Sequence, residues 1–199
     1  MATAFLASIL TTLLTLLPAR AMEWPAWSLP GPLPPPGRAD LVYPAWFEGR
    51  WQVSSPGVVH EARFQPGQGG VVGLRAFNAR AIGRAVLGEA LLSVEDDPAN
   101  PNRQIARLSG GVLLESTVVG RRSETLDREF WADELALQVV HGPGNPRVSR
   151  VETLSHYQLE PDGSISGEQW QASYPSPALG LAARPTSTSQ ERLSLEPLP

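Results

Sequence analysis

The sequence predicts an all-β protein, an antiparallel meander closing into a barrel of about eight to nine strands with one short helical insert. From Tyr43 onward, short runs with apolar–polar alternation recur at spacings of roughly 8–15 residues. Turn clusters rich in Gly, Pro, Asn and Asp separate them, and no strand–helix–strand alternation is present. A meander of that length in one small domain closes most simply on itself, which removes its exposed edges.

The chain opens with an apolar run from Phe5 to Leu17, followed by Pro18 and Ala19-Arg20-Ala21. The run is too short to span a bilayer, which takes about 20 apolar residues, and small residues stand at both positions of an A-x-A site. The segment reads as a secretory signal over residues 1–21, cleaved after Ala21. Residues 22–42 form a leader with prolines at 25, 30, 32, 34, 35 and 36. Such a run cannot build a hydrogen-bonded ladder and lies extended in polyproline II. Trp24 and Trp27 flank it and could dock onto the barrel or into a partner's groove. A single barrel domain is expected over 43–196, with 197–199 as a tail and no transmembrane segment in the mature protein.

Arg50 to Ser54 and Val58 to Phe64 are the first two strands, joined at Pro56-Gly57. Gln65 to Gly70 reads as an open loop. Over Arg75 to Leu92 the texture changes: Phe77, Ala81 and Ala85 fall at four-residue spacing, as do Asn78, Ile82 and Val86. The five alanines between 76 and 90 favour a short helix there. The turn cluster Asp96 to Asn102 returns the chain to strands: Gln104 to Leu108, Val112 to Val119, Ser123 to Trp131 and Leu135 to His141. Arg147 to Leu159, Ser164 to Tyr174 and Gln190 to Leu195 complete the set. Gly110-Gly111, Gly120-Arg121, Gly142 to Pro146 and Pro161-Asp162-Gly163 are the turns, the last a hairpin signal because Asp-Gly supplies positive φ. The apolar phase slips between Ile165 and Trp170, and a bulge at Gly167 would absorb the slip.

Composition excludes several chemistries. All sixteen basic residues are arginines, the net charge is -4, and cysteine is absent. Disulfides, thiolate metal clusters, a cysteine nucleophile and a Schiff-base or P-loop lysine are therefore impossible. The acidity argues against nucleic acid as a partner. His60, His141 and His156 lack the close spacing of a zinc site, so no metal and no cofactor is expected. Neither a G-x-S-x-G elbow nor a phosphate-binding loop occurs, and the reading is non-enzymatic.

The first strand carries Trp46-Phe47-Glu48-Gly49-Arg50-Trp51. Gly-x-Trp at that place resembles the lipocalin and calycin signature. The resemblance implies that Gly49 turns the entering chain and that Trp51 plugs one end of the barrel beneath an arginine of the last strand, here Arg192. A second resemblance rests on Tyr43 to Trp51, Arg75-Ala76-Phe77-Asn78, Asp97 to Gln104, Gly120 to Thr125, Val151-Glu152-Thr153 and Pro161 to Ile165. These segments are similar to an uncharacterised domain family of cyanobacteria and chloroplasts, exported to the thylakoid lumen or periplasm. The similarity runs from Tyr43 to Leu195 and implies a compartment but no activity.

The candidate site is an apolar cavity. Trp51, Trp131, Tyr157 and Trp170 would line it, with His60 bonding a polar group. Arg75, Arg80 and Arg84 would form a basic group at its mouth, able to hold an anionic headgroup. The bland alternatives are a satisfied core histidine, packing aromatics and arginines paired with Glu48, Glu61 or Glu89. The expected function is lipocalin-like binding or carriage of a small hydrophobic molecule of lipid, pigment or quinone type. The alternative is an interaction or assembly factor for a photosynthetic (thylakoid) membrane complex, with a solid barrel.

Overall fold

The computed structural model describes residues 33–180 and 184–199. The apolar run, the expected cleavage after Ala21 and most of the expected leader, including Trp24 and Trp27, lie outside the described residues. Eleven strands form one antiparallel sheet: β1 (Val42–Tyr43), β2 (Gly49–Ser55), β3 (Val58–Gly67), β4 (Gly70–Gly73), β5 (Leu91–Asp97), β6 (Asn100–Leu108), β7 (Val112–Leu126), β8 (Glu129–His141), β9 (Arg147–Leu159), β10 (Ile165–Pro175) and β11 (Ser187–Leu198). Their spatial order is β1-β4-β3-β2-β11-β10-β9-β8-β7-β6-β5. The sheet curls into an open half-barrel, so the expected closed barrel of eight to nine strands is corrected in both number and closure. β1 and β5 are its edges and do not pair with each other.

Helix α1 (Arg75–Leu87) explains the opening. It links β4 to β5 and packs against both β3 and β5, lying where a closing ladder would run. Its buried side is Arg75, Asn78, Ala79, Ile82 and Gly83, an i, i+3, i+4, i+7, i+8 stripe. Asn78 acts as a surrogate strand. Its Oδ1 accepts from the Arg63 backbone N–H at 2.7 Å, and its Nδ2 donates to the Arg63 carbonyl at 2.9 Å. From β5, the Asp96 carboxylate accepts the Ala76 N–H at 3.2 Å. Thus both sides of the gap are tied to the helix.

Several expected boundaries move. β7 runs unbroken through Gly120-Arg121, because the register shifts by one residue at Val119 instead of turning. The turn falls at Asp127, with φ +51°. Ser123 to Trp131 is therefore the hairpin end of two longer strands. Gln65 to Gly70 is not an open loop: β3 continues to Gly67 and turns back into β4. β10 pairs in continuous register on both sides, so no bulge forms at Gly167. A Cβ there would lie 2.9 Å from the Tyr157 ring, and glycine is present because that ring crosses the strand. β11 extends to Leu198, through the expected tail.

The concave face is layered. At one end Leu41, Tyr43, Phe47, Trp51, Phe130, Tyr157 and their neighbours form one apolar cluster. At the other, Ala79 and Ile82 of α1 pack on Leu91, Val94, Ala106 and Leu114. A polar band separates them: His60, Gln138, Thr153, Ser155, Gln169 and Gln171, all buried. Gln169 donates to Ser155 Oγ at 3.0 Å and Gln171 to Thr153 Oγ1 at 3.3 Å. Residues 33–41 cross this interior as a strap. The Arg121 N–H donates to the Pro34 carbonyl, its guanidinium to the Ala39 carbonyl, and Asn102 Nδ2 to the Gly37 carbonyl. The last part of the leader is thus packed into the half-barrel.

Asn78→Ala should lower stability by about 1–2 kcal/mol, because it leaves the Arg63 N–H without its partner in a part-buried site, while the Arg63 carbonyl keeps the Leu74 N–H at 2.9 Å. The midpoint of urea unfolding checks this, and an unchanged midpoint would show that water replaces the amide freely.

Candidate functional site

The expected site residues divide between the two faces of the sheet. Trp51, His60, Tyr157 and Arg75 lie on the concave side and are buried. Trp131 and Trp170 lie on the convex face, as the alternation along β8 and β10 requires. Arg80 and Arg84 are exposed on α1. One cavity lined by all eight residues is therefore not formed.

The barrel-start signature is formed only in part. Gly49 has φ +125°, a conformation that favours glycine. Trp51 is buried, its Nε1 donating to the Phe47 carbonyl at 2.8 Å. Arg192 does not cover it. That side chain is 87% exposed on the convex face, 3.5 Å from Glu168. The parity of β11 explains the difference: Leu193 and Leu195 point inward, so Arg192 points out.

The three basic residues of α1 also separate. Arg75 turns inward, 3.9 Å from Asp40 of the strap. Burial raises the Asp40 carboxyl above its ordinary range, against the pull of Arg75. Glu61 holds Arg50 and Arg63 instead, at 2.9 and 2.8 Å, and Arg63 stacks on Phe77 at 4.1 Å.

Inside the half-barrel, an enclosed slot of about 20 Å³ is lined by His60, Asn78, Tyr43, Phe64, Tyr157 and Leu193. A second, of about 10 Å³, lies between Tyr43, Glu134, Ser155 and Tyr157. Each has the size of a single water. His60 is 8% exposed and neither ring nitrogen has a partner. Burial lowers its pKa to about 4. Gln138, 1% exposed, likewise has neither amide atom bonded.

The convex face holds a larger space. A pocket of about 440 Å³ is lined by Arg122, Ser123 and Glu124 of β7, Trp131 and Asp133 of β8, and Leu154 of β9. The ladder sets their order: Arg122 faces Asp133, which faces Leu154, which faces Trp170. In the next row Glu124 faces Trp131, which faces His156. The His156 ring stacks on Trp131 with centroids 3.9 Å apart, and its Nε2 lies 3.1 Å from Glu129. Trp170 lies parallel to Trp131 within 3°, at 6.5 Å. Behind the pocket, Glu152 is 0% exposed and accepts from the Tyr174 hydroxyl at 3.1 Å. Burial, then the Glu152 charge, raises the Tyr174 pKa. Arg150 donates to the Pro175 and Gly180 carbonyls and so fastens the β10–β11 connection over this face.

Asp133 is only 3% exposed, and its Oδ1 has no hydrogen-bond partner. Burial, then the charge of Glu152, raises its pKa to about 7, with Arg122 pulling the other way. Asp133, Arg122, Leu154 and Glu152 escaped the sequence reading because charged residues on alternating strands resemble a solvated face. One signal was available. From Arg150 to Ser155 charged, apolar and hydroxyl residues succeed one another without the apolar–polar alternation of a solvated face, and the structure buries every one of them. Among the described residues no group of three or more His, Asp or Glu side chains is placed to hold a metal, and no helix is long and apolar enough to cross a membrane.

His60 and Asp133 act oppositely on stability. For His60, the unfolded chain binds the proton between pH 6.5 and about 4 and the native state does not. Its contribution is therefore intact above pH 6.5 and falls as the pH drops toward 4. For Asp133 the native state holds the proton between pH 3.8 and about 7. Its contribution is present below pH 3.8 and lost as the pH rises through 7. Asp133→Asn should therefore raise stability at pH 8 by about 2 kcal/mol, an advantage that shrinks toward pH 4. His60→Leu should flatten the decline below pH 6.5. Urea titrations from pH 4 to 8 measure both slopes.

No curated protein and no solved structure matches the chain. A family model matches residues 56–198, beginning just after β2 and running to the end of β11. By that match the chain belongs to an uncharacterised family, the domain of unknown function DUF6816.

Proposed function

We propose that the protein is a non-enzymatic small-molecule binder, exported to the thylakoid lumen or periplasm, and that its ligand lies in the convex pocket beside Trp131. The carrying observation is size. The pocket of about 440 Å³ falls within the usual range of small-molecule sites, about 300–1,000 Å³, while the enclosed slots of the interior have room for water. A lipid, pigment or quinone inside the half-barrel would have to displace the Tyr43, Phe47, Phe130 and Tyr157 cluster. A hydrophobic moiety is accommodated on the convex face, where Trp131 and Leu154 supply the apolar walls. Export is supported by the run from Phe5 to Leu17 and the Ala19-Arg20-Ala21 site.

The filled apolar end also favours a second reading, an assembly factor for a membrane complex. Past Arg121, whose N–H is taken by the Pro34 carbonyl of the strap, the β7 edge has no pairing to β6 among the described residues, and an unpaired strand edge is a place for an added strand.

Native mass spectrometry of the protein purified from its own cells separates the two. A retained small molecule, lost in Trp131→Ala with the β-sheet circular dichroism unchanged, supports the binder. A stable protein partner with no retained small molecule transfers support to the assembly factor.

A further inference from the structure

We propose that the convex pocket selects a small organic cation, an ammonium or guanidinium carried on a flat apolar body, with Asp133 as its counter-ion. The proposal deepens the binder reading above and rests on it. The central observation is a pair of adjacent rungs in one ladder. Arg121 faces Glu134 and Arg122 faces Asp133, so the same two charges are presented first inward and then outward. The inward rung is closed: Arg121 Nε donates to Glu134 at 2.6 Å, with both side chains buried. The outward rung is open. Arg122 is exposed on the pocket rim and makes no ion pair with Asp133, although it stands directly opposite.

Asp133 is thereby a buried carboxyl, lining a pocket, whose Oδ1 has no donor. A buried carboxylate without a partner is strongly disfavoured. A ligand N–H would supply both the missing hydrogen bond and the missing charge. The surroundings select the sign. Asp133 and Glu124 line the pocket, and the fully buried Glu152 is close enough to act on Asp133, against Arg122 as the one lining cation among the described residues. Of the other polar groups on this face, Arg150 donates to backbone carbonyls, Tyr174 to Glu152, and His156 stacks on Trp131 beside Glu129. An anionic ligand would meet two lining carboxyls. The Trp131 indole adds a wall suited to a cation, since an aromatic face attracts positive charge.

Binding then includes a proton step. With its carboxyl raised to about 7 by burial and Glu152, Asp133 holds a proton in part of the empty protein at pH 7. Pairing with a cation favours the carboxylate, and the proton leaves to the buffer.

Isothermal titration with three probes of one shape tests the proposal: benzylammonium, benzyl alcohol and benzoate, each at pH 7 in two buffers of different ionisation enthalpy. Benzylammonium should bind at least tenfold more tightly than the alcohol, and benzoate should not bind. Its apparent enthalpy should differ between buffers, reporting proton release. Asp133→Asn should lose tenfold or more in benzylammonium affinity together with the buffer dependence, and Glu124→Gln should lose a smaller factor. Equal binding of the alcohol, or affinity unchanged in Asp133→Asn, overturns the cation assignment. If the alcohol binds in a Trp131-dependent way and benzylammonium no better, the pocket stands and its charge selectivity falls. If no probe binds and Trp131→Ala changes nothing that the native protein retains, both fall together.

Discussion

The molecule depends on a sheet that curls without closing. A closed barrel satisfies its backbone by ring closure, whereas here each side of the gap must find another partner. Asn78 provides one, taking both polar groups of Arg63 as a strand would. On the other side, the Asp96 carboxylate of β5 takes the Ala76 N–H of the same helix, and the strap fills the interior through Arg121 and its contacts to Pro34 and Ala39. The buried Arg121–Glu134 pair is therefore part of how the strap is held in the half-barrel. Removing one partner of such a pair leaves a buried charge, which makes it a fixed point of the interior.

That constraint also shapes the site. With the strap bound on the concave side of the β7–β8 ladder, the interior near Arg121 is occupied by the chain itself. The convex side of the same ladder keeps Trp131, Asp133 and Leu154 in an open hollow. Strand β9 lies under buried side chains on both faces, with Val151 and Thr153 inward and Glu152 and Leu154 outward. The outward buried groups are what distinguish this face from an ordinary solvated one.

Strand texture was legible where alternation is strong. β2, β9 and the Pro161-Asp162-Gly163 hairpin fall within a residue or two of their expected places, and α1 starts at the expected Arg75. β1, β4 and β5 were missed because two of them are very short and β5 borders the turn cluster at Asp96. Closure was misjudged because a sequence shows periodicity, whereas filling the gap depends on the side chain of Asn78 reaching back to Arg63. The site was half legible. Trp131 and Trp170 were singled out as aromatics, but the one-residue shift at Val119 and the burial of charged residues on β9 are tertiary facts. Arg192 shows the converse: its parity was readable from Leu193 and Leu195, and the resemblance to lipocalins outweighed it.

The order of the sheet bears on how the chain reaches this structure. β2 is hydrogen-bonded to β11, so Val53 pairs with Leu195 and Trp51 with Pro197. β3 can pair with β2, and β4 with β3, as soon as they exist, but the ladder joining the two halves of the sheet waits for the last strand. Contacts so distant in sequence make folding slow. Until β11 arrives, β2 and β10 present unpaired edges, and the chain is most open to association with other chains during that interval.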